Sequence, residues 1–280
     1  MPEFLQPKSL EYAMELLREI QDVKFLAGGT DLIILLRNRV VDCGYLMDIK
    51  RIPELHTFQY TEDGLIIGGA VTCNQILHAD FLKEEHQVLQ EAAATLANTL
   101  LRNRATLIGN ICNASPGGDM IPPCLVLGAT LRTVSPRGKR SIPLRDFFTG
   151  VKKHVLAPDE LVVQLSLPNK PGRGVYLKKR RIRGHDLAQV GLAGFYGADH
   201  ALSFAVAAMG PMPILVDDIG VFPPEELRAA KETIKASVRA RVSPISDVRS
   251  SMEYRLAMLD YFTELAVDAF AFGEKVEVRA

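Results

Sequence analysis

Apolar positions along the chain change period repeatedly, from short continuous runs to helical spacing and back. Phe4-Leu5 begins the series as a strand. Ser9 then precedes Leu10, Ala13, Met14, Leu16 and Leu17, whose spacing is that of one helix face behind a hydroxyl N-cap. Residues 23–27 predict a short strand, 32–36 a short buried helix and 45–49 another strand, with Ile52-Pro53-Glu54-Leu55 closing a β-α-β unit. A second unit opens with a strand at 65–70, a short helix at 74–77 and a helix of strong formers at 87–97. Residues 120–127 predict a buried helix. Residues 130–134 and 140–143 predict a hairpin turning at Pro136-Arg137-Gly138, and 161–167 a final strand. A Pro/Gly-rich linker occupies 168–174. Beyond it, 175–183, 189–196 and 201–207 predict strands. Helices follow from 223 or 224 to about 238 and from 250 to about 272. The last helix has Ser250 or Ser251 as cap and a buried stripe of Leu256, Leu259, Phe262, Leu265 and Ala266, with Tyr254 and Arg255 tying it to the sheet. The pattern mixes strands and helices along the whole chain.

Two glycine-rich segments interrupt this pattern where a strand hands over to a helix. One reads Ala27-Gly28-Gly29-Thr30-Asp31. The other runs from Thr106-Leu107-Ile108-Gly109-Asn110 through Asn113-Ala114-Ser115-Pro116-Gly117-Gly118-Asp119. Glycine permits φ > 0 and close backbone approach to a bound group. Thr106, Asn110, Asn113 and Ser115 carry short donors and acceptors, and Asp119 stands where a helix can begin, with Pro122 and Pro123 in its first turn. Together the segments suggest a two-part nucleotide cradle. Neither is G-x-G-x-x-G, so a Rossmann fold is poorly supported.

Composition narrows the remaining classes. The 280 residues have zero formal net charge, with 48% apolar and 24% charged positions. Nothing in that balance points to nucleic acid or an anionic membrane. No apolar run is long enough for a membrane span, and the N-terminus lacks a signal-peptide pattern, so a cytoplasmic location is expected. Cys43, Cys73, Cys112 and Cys124 are scattered without a C-x-x-C pair, which argues against a metal or iron–sulfur site on this chain; reduced, mostly buried thiols are expected. No Ser-His-Asp set or carboxylate pair stands out. No catalytic residue is assigned, and the chain reads as a binding site with little acid–base machinery. The run from Lys178 to Arg183 is strongly basic, and in a strand Tyr176, Lys178, Arg180 and Ile182 share one face.

The two glycine segments, together with Ala207-Ala208-Met209-Gly210-Pro211-Met212-Pro213 and Asp247-Val248-Arg249-Ser250-Ser251-Met252-Glu253-Tyr254-Arg255, occur in the order in which they occur in one family. The chain resembles, along nearly its whole length, the FAD-binding (medium) subunit of the molybdenum hydroxylases, the xanthine dehydrogenase and aerobic carbon monoxide dehydrogenase type. The resemblance implies an α+β protein with a two-subdomain FAD-binding fold of the vanillyl-alcohol-oxidase type at 1–170, the subdomains lying at about 1–55 and 56–170. It also implies a C-terminal domain at 171–280 made of a three-stranded antiparallel sheet with helices. It implies non-covalent FAD. The pyrophosphate would lie on Ala27, Gly28, Gly29, Thr30 and Asp31. Thr106, Asn110 and Asn113 would hold the phosphate–ribityl part, Gly109 would let the backbone approach the cofactor closely, and Asp119 would accept from a ribityl or ribose hydroxyl. Val162 would pack near the ring or adenine, and Lys178 would sit near the isoalloxazine. Leu96 stands where some relatives carry an aromatic, which puts ring stacking there in doubt.

The family also implies partners: a small subunit with [2Fe–2S] clusters and a large subunit with the molybdenum cofactor, in a dimer of heterotrimers. Electrons would reach FAD here from the iron–sulfur subunit and leave to NAD, quinone or dioxygen. Two other readings remain open. One is a self-contained flavin oxidoreductase with His185 as its base. The other is a non-redox nucleotide-binding regulatory module using the same loops.

Overall fold

Ser9 caps the first helix as its sequence requires, accepting a hydrogen bond from the Tyr12 amide at 3.1 Å. The computed structural model describes residues 2–182 and 186–273. In chain order its first elements are β1 (Glu3–Leu5), α1 (Leu10–Glu19), β2 (Val23–Leu26), α2 (Leu32–Arg37) and β3 (Tyr45–Asp48). They form a small parallel sheet in the order β1-β3-β2. Ala13, Met14 and Leu17 of α1 pack over it with Val23, Met47 and Ile49.

The second group comprises β4 (Phe58–Thr61), β5 (Gly64–Gly68), α3 (Cys73–Leu77), α4 (Gln87–Thr95), α5 (Thr99–Arg102), α6 (Leu107–Cys112), α7 (Ile121–Val126), β6 (Thr130–Ser135), β7 (Gly138–Pro143), β8 (Phe148–Gly150), β9 (Lys153–His154) and β10 (Leu161–Pro168). Its main sheet is antiparallel, ordered β4-β5-β10-β6-β7, with β8 and β9 as a separate small hairpin. The third group is β11 (Gly172–Lys179), β12 (Val190–Gly197), β13 (Ala201–Ala207), β14 (Ile214–Val221), α8 (Pro224–Leu227), α9 (Lys231–Arg239) and α10 (Met252–Phe272). These strands make one antiparallel sheet in sequence order.

β12 is buried at every position. The reason is that this sheet is covered on both faces. Phe195 and Ala205 belong to the core shared with the second group, while Leu192, Phe204 and Val206 pack with Phe262, Val267 and Phe270 of α10. A strand buried on two faces reads as a continuous apolar run instead of an alternation. α10 is capped by the Ser251 hydroxyl and ends at Gly273, whose φ of 71° is the left-handed C-terminal conformation.

Several expectations need correction. Residues 32–37 are helical, but none is buried: Ile33 and Ile34 are 43% and 56% exposed. The C-terminal sheet has four strands, not three, because 214–221 continue it. That segment alternates too weakly to read as a strand, since it is a mostly exposed edge. The helix expected over 223–238 is two helices, α8 and α9. The segment 106–119 follows the helix α5 and not a strand, and Leu107–Cys112 within it is itself helical. Arg255 does tie α10 to the sheet, donating to the Gln189 and Ala208 carbonyls at 2.5 and 3.1 Å, whereas Tyr254 is 41% exposed. His185 lies outside the described residues.

Candidate functional site

β2 delivers the chain directly into Ala27-Gly28-Gly29-Thr30-Asp31, and α2 follows at once. Only one residue there needs glycine's conformational freedom: Gly29 has φ +75°. Gly28 is required for a different reason. A Cβ on it would stand 2.1 Å from the Arg104 carbonyl oxygen, so this loop lies directly against the segment that leads into the second one. Among the described residues, the amides of Gly28, Gly29, Thr30 and Asp31 donate to no protein acceptor. Such a row of free donors is normally satisfied by water or by an anionic ligand.

In the second segment Thr106 is the N-cap of α6, its hydroxyl accepting from the Gly109 amide at 2.9 Å. Gly109 is therefore helical and does not supply φ > 0. A Cβ there would stand 2.7 Å from Thr106 Oγ1 and crowd the cap. The left-handed residue in this stretch is Ala114, at φ 47°. Asn110 Oδ1 accepts from the Met120 amide at 3.2 Å, which folds 113–120 back over α6. Asn113 is held on both sides: Nδ2 donates to Asp31 Oδ1 at 3.0 Å, and Oδ1 accepts from Lys152 Nζ at 2.8 Å.

These pieces enclose a cleft of about 1430 Å³. Ala27 to Asp31, Leu96, Thr106, Gly109, Asn110, Asn113, Asp119 and Val162 all line it. Among the expected site residues, Lys178 alone is absent from the lining. Its ammonium is turned to Asp119 Oδ2 at 2.7 Å and the Thr95 carbonyl at 3.2 Å, with the side chain 1% exposed. Lys178 thus stands behind the wall. Asp119 is likewise not a helix cap: α7 begins after Met120, with Pro122 and Pro123 in its first turn. The Asp119 carboxyl is buried, and burial pushes its pKa up against the opposing effect of Lys178 and the Tyr176 hydroxyl. Leu96 ends α4, and its carbonyl accepts from Arg102 at 2.8 Å.

Sequence reasoning missed two parts of the wall. The turn between β8 and β9 brings Val151 and Lys152 to the cleft, with the Lys152 amide on the Ala114 carbonyl at 3.1 Å. The other part is lined by Ala208 and Pro211 of the first C-terminal motif, by Ile245 just before the second, and by Leu187. A Gly150-Val151-Lys152-Lys153 turn carries no distinctive signal in a sequence. Cys112 also lines the cleft, half-buried, and burial pushes its thiol up to about 12, so it stays protonated. Cys43, Cys73 and Cys124 are buried thiols.

The free amides, the glycine-tight loops and the volume of the cleft suit a large polar ligand with an anionic centre, and FAD fits that description. A family model described as the FAD binding domain in molybdopterin dehydrogenase matches residues 1–170. The xanthine dehydrogenase FAD-binding subunit of Escherichia coli O157:H7 is 33% identical over 272 residues, covering 92% of each chain. The carbon monoxide dehydrogenase medium chain of Afipia carboxidovorans is 27% identical over 95% of each. Among solved structures, the reconstituted CO dehydrogenase from Oligotropha carboxidovorans superposes with a TM-score of 0.91 at 25% identity, covering 97% of this chain and 98% of that one. The chain belongs to the family of FAD-binding subunits of molybdenum hydroxylases and is an oxidoreductase subunit.

Proposed function

We propose that this chain is the electron-transfer subunit of a heteromeric molybdenum hydroxylase, taking electrons from a [2Fe–2S] subunit and passing them to an acceptor such as NAD, quinone or dioxygen. Substrate oxidation takes place on a large subunit that carries the molybdenum cofactor, and the complex is a dimer of heterotrimers in the cytoplasm. No helix among the described residues is long and apolar enough to cross a membrane. The FAD fold at 1–170 is of the vanillyl-alcohol-oxidase type, with subdomains at about 1–55 and 56–170, and 171–280 forms the second domain. The observation that carries the reading is the single cleft on which both glycine loops and both C-terminal motifs converge, with unpaired amides at Gly28 to Asp31.

In this site the amides of Gly28, Gly29, Thr30 and Asp31 hold the pyrophosphate. The Thr106 hydroxyl proton and Asn110 Nδ2 face the phosphate–ribityl part, because their oxygens already serve Gly109 and Met120. Asn113 fixes the spacing of the two loops through Asp31, and Lys152 adds a positive charge beside them. Asp119 accepts from a ribityl or ribose hydroxyl. Leu96 and Val162 give the cleft dry apolar walls. FAD supplies the redox chemistry when bound; the chain orients it, limits its contact with water and sets the charges around it.

The test is purification of the chain, with its partners, from the native host. Flavin absorption bands, free FAD in the supernatant after acid precipitation, and co-purifying iron–sulfur and molybdopterin proteins are expected. Isolation as a lone monomer with full turnover, or with no flavin, would overturn the reading.

A further inference from the structure

Asp119 is the one carboxylate of the expected FAD contacts that is buried, and two side chains behind the cleft wall hold both of its oxygens. Tyr176 Oη donates to Oδ1 at 3.1 Å and Lys178 Nζ donates to Oδ2 at 2.7 Å. The two donors stand two residues apart on β11, so they project from the same face. The strand itself is fixed against α4, where the Tyr176 amide donates to Glu91 Oε2 at 2.7 Å. On β12, Gly191 pairs with Lys178 in register. A Cβ at Gly191 would stand 2.9 Å from Tyr176 Oη, so the missing side chain leaves space for the hydroxyl. Tyr176 does not line the cleft.

We infer that Tyr176 is a positioning residue for Asp119: with Lys178 it clamps the carboxylate in the one orientation that presents it to the cofactor cleft, and Gly191 is there to admit its hydroxyl. The inference rests on the FAD site proposed above. Tyr176 suits this role because its phenol is buried. Burial, followed by the neighbouring Asp119, raises its pKa well above the ordinary value, so it remains a donor at every working pH. Among the described residues, the charged and titratable groups around Asp119 are Tyr176 and Lys178 from β11, Arg180 just after that strand, and the Cys73 thiol from α3. Lys178 and Arg180 are cations, and the Cys73 thiol, pushed up to about 12 by burial, is neutral. Losing the Tyr176 hydroxyl therefore removes a neutral donor that favours the ionised carboxylate, and Asp119 protonates at a higher pH.

The experiment uses the flavin-loaded protein from its native host and measures FAD dissociation and its dependence on pH. Tyr176→Phe removes one hydrogen bond and keeps the ring. It should weaken FAD binding by roughly five- to tenfold and move the acid limb of FAD retention to higher pH. Gly191→Ala, made with Tyr176 in place, should reproduce both effects. Combined with Tyr176→Phe it should add little, because the nearest ring carbon is 3.7 Å from the new methyl. In an Asp119→Asn background Tyr176→Phe should no longer move the limb. Wild-type protein without FAD overturns the site reading itself. Wild-type protein that holds FAD, with Tyr176→Phe unchanged in affinity and pH limb, overturns this inference alone. So does a limb shift that persists in the Asp119→Asn background.

Discussion

Asn113 donates from Nδ2 to Asp31 Oδ1 at 3.0 Å, joining two loops that lie 82 residues apart in the chain. The bond sits at the cleft rim, and the carboxamide is oriented by Lys152 on its other side. It fixes the distance between the two halves of the cradle.

Asn113→Ala should leave the fold intact and weaken FAD binding by about 1 kcal/mol, the net worth of such a bond. Asn113→Asp should be worse, because it sets a second carboxylate against Asp31. Titration of apoprotein with FAD checks the order of the two variants; equal affinities in both and in wild type would show that the loops are positioned by other contacts.

Asp119 matters to stability as well as to binding. Asp119→Ala leaves the Lys178 ammonium, 1% exposed, without its counter-charge. Breaking a buried pair from one side costs about 3–5 kcal/mol. Asp119→Asn combined with Lys178→Met should recover much of that loss, since it removes both charges. Denaturant unfolding of the two variants and the wild type measures this, and a double variant no more stable than Asp119→Ala would contradict it.

Two glycines of the cradle, Gly28 and Gly109, should fail for different reasons. Gly28→Ala places a methyl 2.1 Å from the Arg104 carbonyl, against backbone that must move bodily. Loss of retained flavin and a stability loss of roughly 2 kcal/mol or more are expected. Gly109→Ala meets only the Thr106 hydroxyl, at 2.7 Å. Its cost should be near that of a lost N-cap, about 1 kcal/mol. Gly109→Val, with more bulk at the same point, should release the flavin. Flavin content per chain and melting temperature together rank the three.

Acid stability should depend on His86. The side chain is fully buried, its Nδ1 is 2.9 Å from the Tyr60 hydroxyl, and its Nε2 has no partner. Burial holds its pKa below the ordinary value, with Glu85 opposing and Lys83 reinforcing. The unfolded chain therefore takes up a proton on this residue at a pH where the folded one does not. Stability should be undiminished above about pH 6.5 and fall as pH drops below it, by at most about 1.4 kcal/mol per pH unit for one proton. His86→Phe should flatten that part of the profile in pH-dependent unfolding. An unchanged slope would assign the loss to other groups, of which His154, also lowered by burial, is the first to examine.

Much of the fold was legible because local rules agreed with the final packing. Ser9 and Ser251 cap helices as short hydroxyl residues do, Met14 and Leu17 face the core, and the 130–143 hairpin turns where Pro136-Arg137-Gly138 indicates. What was illegible has physical causes. β14 is an exposed edge whose pattern is diluted by Asp217 and Asp218, and those carboxylates pair with Arg145 and Arg241. The apolar run 32–36 suggests burial, yet α2 lies beside the cleft, with Leu32, Ile34 and Leu35 lining it.

The chain by itself determined the order of elements, the two glycine segments and, through their resemblance to one family, the cofactor class. Those are properties of residue type and spacing, which sequence carries directly. Tertiary structure alone decided which polar groups remain free to bind. Asn113, Thr106 and Asn110 each spend an acceptor on the protein, Lys178 is turned away from the cleft by Asp119, and Tyr176 enters the problem only because Gly191 leaves space across the sheet. A hydrogen bond between residues 57 or 82 positions apart has no local signature, since either partner could be satisfied by water until the fold excludes it.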